Sequence, residues 1–296
     1  MPLLAIEIPF NPNIVVGGSF SLSWHGFLSF VGVAAAIWMV GKAALKGNLN
    51  QDQVYNTAIF GILGGIVGAR LVHVFDNWAI YGDDPGRILA IWSGGIGLWG
   101  GILGGWIAGS IYAYFVKAPV GKYMDIAAPA MLVGQTIGRV GDIINGEHWS
   151  RALDAGWGWY FTHPSSPARL GAERFFGDPE RAVHPTVVYE IIWNLMGLFV
   201  ITKLKGKLRP AGAIWMVYIS WYSIGRFAIQ YLRLDDVKFW GLQEAHIIAL
   251  AVLSFTIPFM ILKVRRDDSG LDIDPNADNR GASRRKRDRQ RQQAKS

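Results

Sequence analysis

Seven apolar stretches, each long enough to cross about 30 Å of hydrocarbon, constrain this chain more than any other feature of its sequence. A helix is expected for each, because a backbone inside a bilayer must satisfy its own hydrogen bonds. The alternating ten-residue strands of a membrane barrel do not occur. The predicted spans are 24–45, 54–75, 88–116, 124–144, 184–203, 211–231 and 243–264, and we expect the third to be shorter than its apolar stretch. The sequence therefore predicts an all-α integral membrane protein with seven transmembrane helices.

The fourth span is the least apolar, since it carries Asp125, Pro129, Gln135 and Arg139. We expect it to face protein rather than lipid. Over the whole chain 51% of residues are hydrophobic and only 17% are charged, against about 25% in a typical soluble domain. The 13 tryptophans and 36 glycines match the interfacial aromatics and close helix packing of membrane proteins.

Several function classes are disfavoured by composition. There is no cysteine, so disulfides, thiolate metal sites and a cysteine nucleophile are excluded. No histidine or carboxylate spacing suggests a metal site, and we expect neither metal nor cofactor. Residues 263–296 hold 11 Lys/Arg and six Asp, which accounts for +5 of the net charge of +7. A short basic tail beside an apolar helix favours anionic lipid headgroups over nucleic acid as its neighbour.

The loops predict an orientation. Lysine and arginine concentrate in the loops after the first, third and fifth spans and in the tail, which the positive-inside rule makes cytoplasmic. The N-terminus is then outside and the C-terminus inside. We predict an extracytoplasmic segment at 1–22, a seven-helix membrane domain at 23–264 with an extracytoplasmic head insert at 147–183, and a disordered, basic, cytoplasmic tail at 265–296. The head is longer than usual loops, so we expect it to be folded or functional.

A polar run at 138–147 follows the apolar part of the fourth span. It places Arg139, Asp142, Asn145 and Glu147 at the edge of the bilayer. Ionisable groups are costly there and are usually kept for a substrate or an ion. Two structural explanations compete: a snorkelling arginine at a helix end, or an ion pair of Arg139 with Asp142 or Glu147 that serves structure only.

Other spans add cations at the predicted outer side. Arg226 lies inside the outer end of the sixth span, and Arg70 lies toward the outer end of the second. Two arginines from different helices at one depth make a bidentate clamp for phosphate. Gln230 follows Arg226 by four residues and can hydrogen-bond the same ligand or the guanidinium.

Three further features have two explanations each. Glu190 lies in the apolar region and needs a partner, with a structural hydrogen bond favoured over catalysis. His25 is an interfacial polar residue or a proton acceptor. In the glycine-rich run, Gly97, Gly101 and Gly105 favour close helix packing, and the alternative is a kink at 94–95 that admits a headgroup.

These motifs resemble those of the prolipoprotein diacylglyceryl transferase family. The resemblance lies in 138–147, in 92–95 with 100–101, in 184–190 and in 225–227, and it covers about residues 15 to 264 in order. It implies seven spans and an extracytoplasmic head in the cytoplasmic (inner) membrane of a bacterium. It also implies transfer of the diacylglyceryl group of phosphatidylglycerol to the lipobox cysteine thiol of prolipoproteins, with release of glycerol phosphate. No cofactor is implied, and we expect a monomer.

The resemblance carries Arg139 over as a phosphatidylglycerol-binding residue and Arg226 as the second essential arginine. Asn145, Gly146 and Glu147 match the family motif as they stand. The candidate catalytic residues are Arg139, Arg226, His25, Glu147 and Asp142. The candidate substrate-binding residues are Arg139, Asn145, Gly141, Gly95, Arg70 and Gln230.

The chain departs from the family at five positions. It has Asp142 for asparagine, Ser150 for glycine, Gln230 for an acidic residue, Trp99 for histidine and His25 for tyrosine. Trp99 removes a candidate base and His25 adds one, so we hypothesise that the proton-handling role has moved to His25. Glu147 or Asp142 is the second candidate base.

The departures leave a divergent family member with altered substrates as an alternative. A non-enzymatic lipid-binding or transport protein also uses intramembrane arginines and glycine-rich helices, but no internal repeat is evident. An intramembrane aspartyl protease is disfavoured, because Asp125 and Asp142 lie about 25 Å apart along one predicted helix.

Overall fold

The protein is described here by a computed structural model that covers residues 5–17, 20–82, 84–90, 95, 97–147 and 149–266. Within these ranges, seven helices of 18 residues or more follow the predicted spans in order. The helices are α1 (Trp24–Lys46), α2 (Gln51–Asp76), α3 (Trp78–Tyr81), α4 (Leu98–Phe115), α5 (Val120–Asn145), α6 (Pro167–Phe176), α7 (Thr186–Leu204), α8 (Ala213–Gln230) and α9 (Glu244–Lys263), with a 3-10 helix at Pro85–Leu89.

Four of these helices, α1, α2, α7 and α9, are long and apolar enough to cross a membrane. The chain is therefore mostly helical with membrane-spanning character. The helix α5 is more polar than these four, as the sequence predicts. Its polar side chains form hydrogen bonds with other parts of the protein. The carboxylate of Asp125 accepts the backbone N–H groups of Gly212 and Trp215, at 2.8 and 3.1 Å, and so caps the start of α8.

The predicted helix starts lie within four residues of the observed ones, except in the third span. The third span was predicted from residue 88, but the helix α4 begins only at Leu98. Gly95 adopts a φ of +76°, a left-handed conformation that interrupts a right-handed helix. The helix of the fifth predicted span, α7, begins at Thr186 rather than at residue 184. Pro185 occupies the cap position before its first helical residue.

Short strands, which the sequence analysis did not predict, form four two-stranded sheets among the described residues. Strand β1 (Ile6–Ile8) runs parallel to β4 (Trp159–Phe161), with Ile8 paired to Phe161. The other pairs are antiparallel: β2 (Asn13–Gly17) with β3 (Phe20–Ser23), β5 (Leu208–Arg209) with β8 (Arg265–Arg266), and β6 (Val237–Phe239) with β7 (Leu242–Gln243). In the predicted head, Phe161 packs with Ile8 and Ala168 in a small apolar core.

Residues 40–123 contain one compact unit, in which α2 packs on α4 through glycines. A Cβ added to Gly100 would lie 2.1 Å from the carbonyl oxygen of Gly68, and one on Gly104 would lie 2.4 Å from that of Gly64. The packing explanation of the glycine-rich run is therefore confirmed. The closest approach is at Gly100 and Gly104 rather than at the predicted Gly97 and Gly101.

Residues 1–39 and 124–268 contain the second compact unit, built around α5, α7, α8 and α9 with the first part of α1. Its apolar core includes Ala128, Leu132, Ile201, Ile214 and Tyr218. The helices α1 and α5 approach closely at two places, both lined by glycine. A Cβ on Gly32 would lie 2.5 Å from the carbonyl oxygen of Gly134, and one on Gly141 would lie 2.8 Å from the Cα of His25. This contact brings the first turn of α1 against the polar run at the end of α5.

Candidate functional site

A buried carboxylate joins the two predicted clamp arginines. Nε of Arg139, on α5, lies 2.5 Å from Oε2 of Glu190 on α7. Nη1 of Arg226, on α8, lies 3.1 Å from Oε1 of the same carboxylate. Glu190 is only 8% exposed, so both ion pairs are shielded from water. The predicted convergence of Arg139 and Arg226 from separate helices is therefore present, and these two arginines are the partners that Glu190 was predicted to need.

Arg139 also bonds a second carboxylate. Its Nη1 lies 2.5 Å from Oδ2 of Asp142, one turn along α5. The predicted ion pair between Arg139 and Asp142 thus exists beside the pair with Glu190. Asp142 is buried, and its Oδ1 contacts Nδ1 of His25. A buried carboxylate held by two cationic or polar partners is suited to orient them.

His25 lies in the first turn of α1 with its imidazole half-exposed. A carboxylate only accepts hydrogen bonds, so Nδ1 of His25 is the donor to Asp142, and Nε2 is left as the proton-accepting nitrogen of the neutral ring. The backbone N–H of His25 donates to Oδ1 of Asn145 at 3.2 Å. Nδ2 of Asn145 in turn donates to Oε1 of Glu147 at 2.7 Å. Five predicted site residues therefore form one cluster with Arg139: His25, Gly141, Asp142, Asn145 and Glu147.

Gln230 is engaged elsewhere. Its buried Nε2 donates to Oδ2 of Asp235 at 2.6 Å and to Oε1 of Gln243 at 2.5 Å. These bonds stabilise the turn after α8. Gln230 therefore does not hydrogen-bond the guanidinium of Arg226, which was one of the two partners predicted for it. A contact of Gln230 with a ligand stays a prediction.

Arg233 is a site residue that the sequence analysis missed. It is buried, with Nη1 3.9 Å from Oε1 of Glu190 and Nε 3.1 Å from Oδ2 of Asp235. Its Nη1 has no hydrogen-bond partner among the described residues. Arg233 lies three residues beyond the end of α8 at Gln230, and its charge next to the outer end of the sixth predicted span was the available signal.

Arg70 and Gly95 lie in the unit of residues 40–123. The guanidinium of Arg70 donates to the backbone carbonyls of Ile88, Gly95 and Arg87 at 2.9, 2.8 and 2.5 Å. These bonds hold the 3-10 helix at Pro85–Leu89 and the backbone of Gly95 to α2. A substrate-binding role for either residue stays a prediction, and the side chain of Trp99 lies outside the described part of the chain.

A pocket opens between the end of α5, the strand β4 and the start of α7. Asp142 and Glu147 contribute to its lining, together with Ser150, where the family has glycine. The hydroxyl oxygens of Ser150 and Thr186 are 2.9 Å apart and hydrogen-bonded. The serine at position 150 therefore has a hydrogen-bond partner that a glycine there would lack. Across the part of the chain that the structure describes, no cluster of three or more His, Asp and Glu is arranged to hold a metal ion.

The cluster combines two chemical capabilities. The hydrogen bond to Glu190 is the single one that Arg226 makes among the described residues, so most of its five N–H donors stay available for an anion. Arg139 is held beside it. A histidine oriented by a buried aspartate lies on the other side of Arg139, where it can accept a proton.

Comparison with known proteins places the chain in a family. A family model described as prolipoprotein diacylglyceryl transferase matches residues 12–262. A phosphatidylglycerol–prolipoprotein diacylglyceryl transferase of Streptococcus uberis is 32% identical over 259 residues, which is 86% of this chain and 96% of the relative. Proteins of the same name from Dehalococcoides mccartyi and Bacillus velezensis are 34% and 30% identical, over 88% and 86% of this chain and 96% and 93% of their own lengths. The chain belongs to the prolipoprotein diacylglyceryl transferase family.

Proposed function

We propose that this chain transfers the diacylglyceryl group of phosphatidylglycerol to the lipobox cysteine thiol of prolipoproteins and releases glycerol phosphate. Family membership and the names of the relatives support the reaction class. The structural observation that carries the proposal is the convergence of Arg139 and Arg226 on Glu190, at 2.5 and 3.1 Å. It supports an anion site built from two separate helices.

The reaction is a displacement at a glycerol carbon. The thiol sulfur forms a bond to this carbon, the carbon–oxygen bond to the phosphate breaks, and the electron pair leaves with glycerol phosphate. Negative charge grows on the phosphate as the bond breaks, and Arg139 and Arg226 stabilise it in a site with little water. Arg226, with its available donors, takes the phosphate oxygens directly. Arg233 adds a third positive charge nearby.

The thiol must lose its proton to become an effective nucleophile. We assign this proton to Nε2 of His25, because Nδ1 is occupied by Asp142 and the imidazole is half-exposed. Asp142 acts as a positioning residue that fixes the tautomer of the ring. Asn145 positions the backbone of His25. Glu147 is the second candidate base, because its hydrogen bond with Asn145 places its carboxylate in the same cluster.

We infer that all seven long helices cross the bacterial cytoplasmic membrane, with the N-terminus outside. The four described helices that are long and apolar enough to cross a membrane support membrane insertion. Large apolar side chains such as Phe30, Trp38 and Phe199 are exposed along the helices, as lipid-facing residues are. The lysine-rich loops support a cytoplasmic C-terminus. We also propose that the membrane domain spans residues 23–264 and that its head at 147–183 is extracytoplasmic. A monomeric state and direct recognition of the lipobox belong to the same proposal.

The test is a transfer assay with the purified full-length protein, phosphatidylglycerol vesicles and a lipobox peptide, followed by mass spectrometry. We expect a peptide that is heavier by one diacylglyceryl group, and no product from a peptide with serine in place of cysteine. Arg139→Ala and Arg226→Ala abolish transfer, while Arg181→Ala, in an exposed ion pair with Asp154, retains it. Lipid binding without any product would contradict the proposal and favour a lipid-binding protein.

A further inference from the structure

The helices α7 and α8 are joined by a reciprocal contact between two tryptophans, which we call the Trp clasp. Nε1 of Trp193, on α7, donates a hydrogen bond to the backbone carbonyl of Trp221 at 2.8 Å. Nε1 of Trp221, on α8, donates to the backbone carbonyl of Trp193 at 2.9 Å. The two indole rings are stacked, with their centroids 4.5 Å apart and an angle of 20° between their planes. An indole has one N–H donor, so both donors are used within the Trp clasp.

Each indole of the Trp clasp lies on a glycine of the opposite helix. A Cβ added to Gly225 would lie 2.2 Å from Cδ1 of Trp193, and one added to Gly197 would lie 2.6 Å from Cδ1 of Trp221. On both helices the glycine follows the tryptophan by four residues, and residues four apart share one face of a helix. The residues next to each glycine carry side chains, so a shift by one residue would place a side chain beneath each indole. The Trp clasp therefore selects one register of α8 against α7.

The Trp clasp adjoins the ion pair between Glu190 and Arg226. Glu190 precedes Trp193 by three residues on α7, and Arg226 directly follows Gly225 on α8. The glycine beneath the indole of Trp193 is thus the neighbour of the arginine whose Nη1 lies 3.1 Å from Oε1 of Glu190. Because a helix rises about 1.5 Å per residue, displacement of α8 by one residue would force the side chain of Arg226 to leave this contact or to change its rotamer.

Charge alone does not select this register. The carboxylate of Glu190 has guanidinium nitrogens of Arg139, Arg226 and Arg233 at 2.5, 3.1 and 3.9 Å. The attraction between charges depends on their distance and not on direction, and a long, flexible arginine side chain can follow its partner when a helix slides. The hydrogen bonds of the Trp clasp end on backbone atoms, which move only when the whole helix moves. The directional contact that fixes the backbone of Arg226 is therefore the Trp clasp.

We propose that Trp193 and Trp221 are positioning residues for the transfer reaction. The Trp clasp holds α8 in register with α7, so that Arg226 stays paired with Glu190 through one hydrogen bond while its other N–H donors stay available for the phosphate. The effect on catalysis rests on the proposed transferase function. The register itself does not, and it can be measured without turnover.

The first experiment exchanges size across the Trp clasp. Gly225→Ala places a Cβ 2.2 Å from the indole of Trp193, so the ring or the helix must move, and we expect the unfolding midpoint in detergent to fall. Trp193→Leu removes the ring, and the double variant should unfold at a higher temperature than the sum of the two separate losses predicts. Gly109→Ala, whose Cβ would meet the carbonyl oxygen of Thr57 at an ordinary 3.5 Å, is the control and should combine with Trp193→Leu additively. Additive losses for Gly225→Ala and Trp193→Leu would overturn the inference.

The second experiment uses milder variants that keep an aromatic ring. Trp193→Phe and Trp221→Phe each remove one Nε1–H donor, and Trp215→Phe is the matched control on α8, since its indole packs on Tyr218. Calorimetry with glycerol phosphate in detergent should show binding about three- to tenfold weaker in both clasp variants, the effect of one lost hydrogen bond, and unchanged binding in the control. In the transfer assay we expect kcat to fall by about 10- to 10²-fold, as for a reacting group displaced by about 1 Å, with the KM for the peptide unchanged.

A pair with a structural role alone would give a different result. It would lower the unfolding midpoint in Trp193→Phe and Trp221→Phe but leave glycerol phosphate binding and kcat as they are in Trp215→Phe, and this outcome would overturn the inference. Absence of transfer by the unchanged protein would contradict the proposed function instead. The size exchange and the glycerol phosphate titration would then still decide whether the Trp clasp positions Arg226.

Discussion

Arg139 and Arg226 lie on different helices, and both contact the carboxylate of Glu190, at 2.5 and 3.1 Å. Removing one partner from a buried ion pair leaves an uncompensated charge, so each member constrains the others. The contact keeps two like charges close together before any anionic substrate binds. Asp142 extends the network from Arg139 to His25, and the anion site and the proton acceptor therefore share one set of buried hydrogen bonds.

Arg226→Lys tests whether the available donors of the guanidinium matter beyond its charge. A lysine ammonium keeps the charge but cannot form two parallel hydrogen bonds to a phosphate. We expect kcat to fall by about 10²- to 10³-fold, the size of effect seen when one stabilising donor is removed from a reacting oxyanion. The measurement is steady-state transfer with the thermal unfolding midpoint in detergent. Arg181→Lys in the exposed pair with Asp154 is the control, and equal activity in both variants would contradict the role of Arg226.

Glu190→Gln tests the shared carboxylate. The substitution preserves the shape of the side chain but leaves the partly buried guanidinium groups of Arg139 and Arg226 without their common anion. We expect a loss of about 3–5 kcal/mol in the free energy of unfolding, as for other broken buried pairs. In a double-mutant cycle, Arg226→Met should destabilise the Glu190→Gln protein less than it destabilises the unchanged protein. Glu180→Gln, in a more exposed pair with Arg169, is the control, and additive effects at 190 and 226 would argue against the network.

Helix positions were predictable because span length follows from bilayer thickness. The first span was predicted at 24–45 and the helix covers Trp24–Lys46. The start of α4 was not predictable from hydropathy, because Gly95 is apolar enough for a span yet adopts a positive φ. The short sheets were missed because pairs of two to five residues lack a period long enough to detect.

The site was predictable in part, for a related reason. The depth of Arg139 and Arg226 in their spans follows from the sequence, and both side chains do contact one shared carboxylate. Which carboxylate they meet depends on the rotation of α7, which tertiary packing sets. The bond between His25 and Asp142 depends likewise on the close approach of α1 to Gly141. Arg233 escaped notice because it lies past the end of its span, where charges are ordinarily counted as loop residues.

His25→Phe tests the proton acceptor. If Nε2 of His25 takes the thiol proton, kcat/KM of the unchanged protein falls with decreasing pH as the ring becomes protonated. We expect His25→Phe to lower the rate about 10²- to 10⁴-fold, the usual contribution of a general base, and to abolish the acid-side fall. His163→Gln, a head residue with a local hydrogen bond to Ser165, should retain both rate and profile. A profile that keeps its acid-side fall in His25→Phe would assign the proton to another group.

Gly104→Ala tests the contact between α2 and α4. The added Cβ would lie 2.4 Å from the carbonyl oxygen of Gly64, so one helix must shift. We expect a loss of about 1–3 kcal/mol, as for other overpacked sites. Gly101→Ala is a matched control on the same helix, because its Cβ meets Ala69 at an ordinary 3.5 Å and alanine is the better helix former. The unfolding midpoint in detergent should fall for Gly104→Ala and stay level or rise for Gly101→Ala, and equal midpoints would contradict the packing argument.

Asp235→Asn gives a pH test of the turn after α8. Burial alone raises the pKa of Asp235, but the charge of Arg233 and the hydrogen bonds from Gln230 and Arg233 outweigh it, so the net pKa lies below that of an ordinary aspartate. A carboxyl group with a lowered pKa in the folded state contributes stability above its unfolded pKa of about 3.9, and the contribution disappears as pH falls through the folded value. We therefore expect the unchanged protein to have a higher unfolding midpoint than Asp235→Asn near pH 6, and the difference to shrink below about pH 4. Asp236→Asn, at the neighbouring exposed position, should follow the unchanged protein at every pH. A constant difference between the unchanged protein and Asp235→Asn from pH 6 to 3 would show that the charge of this carboxylate does not stabilise the turn.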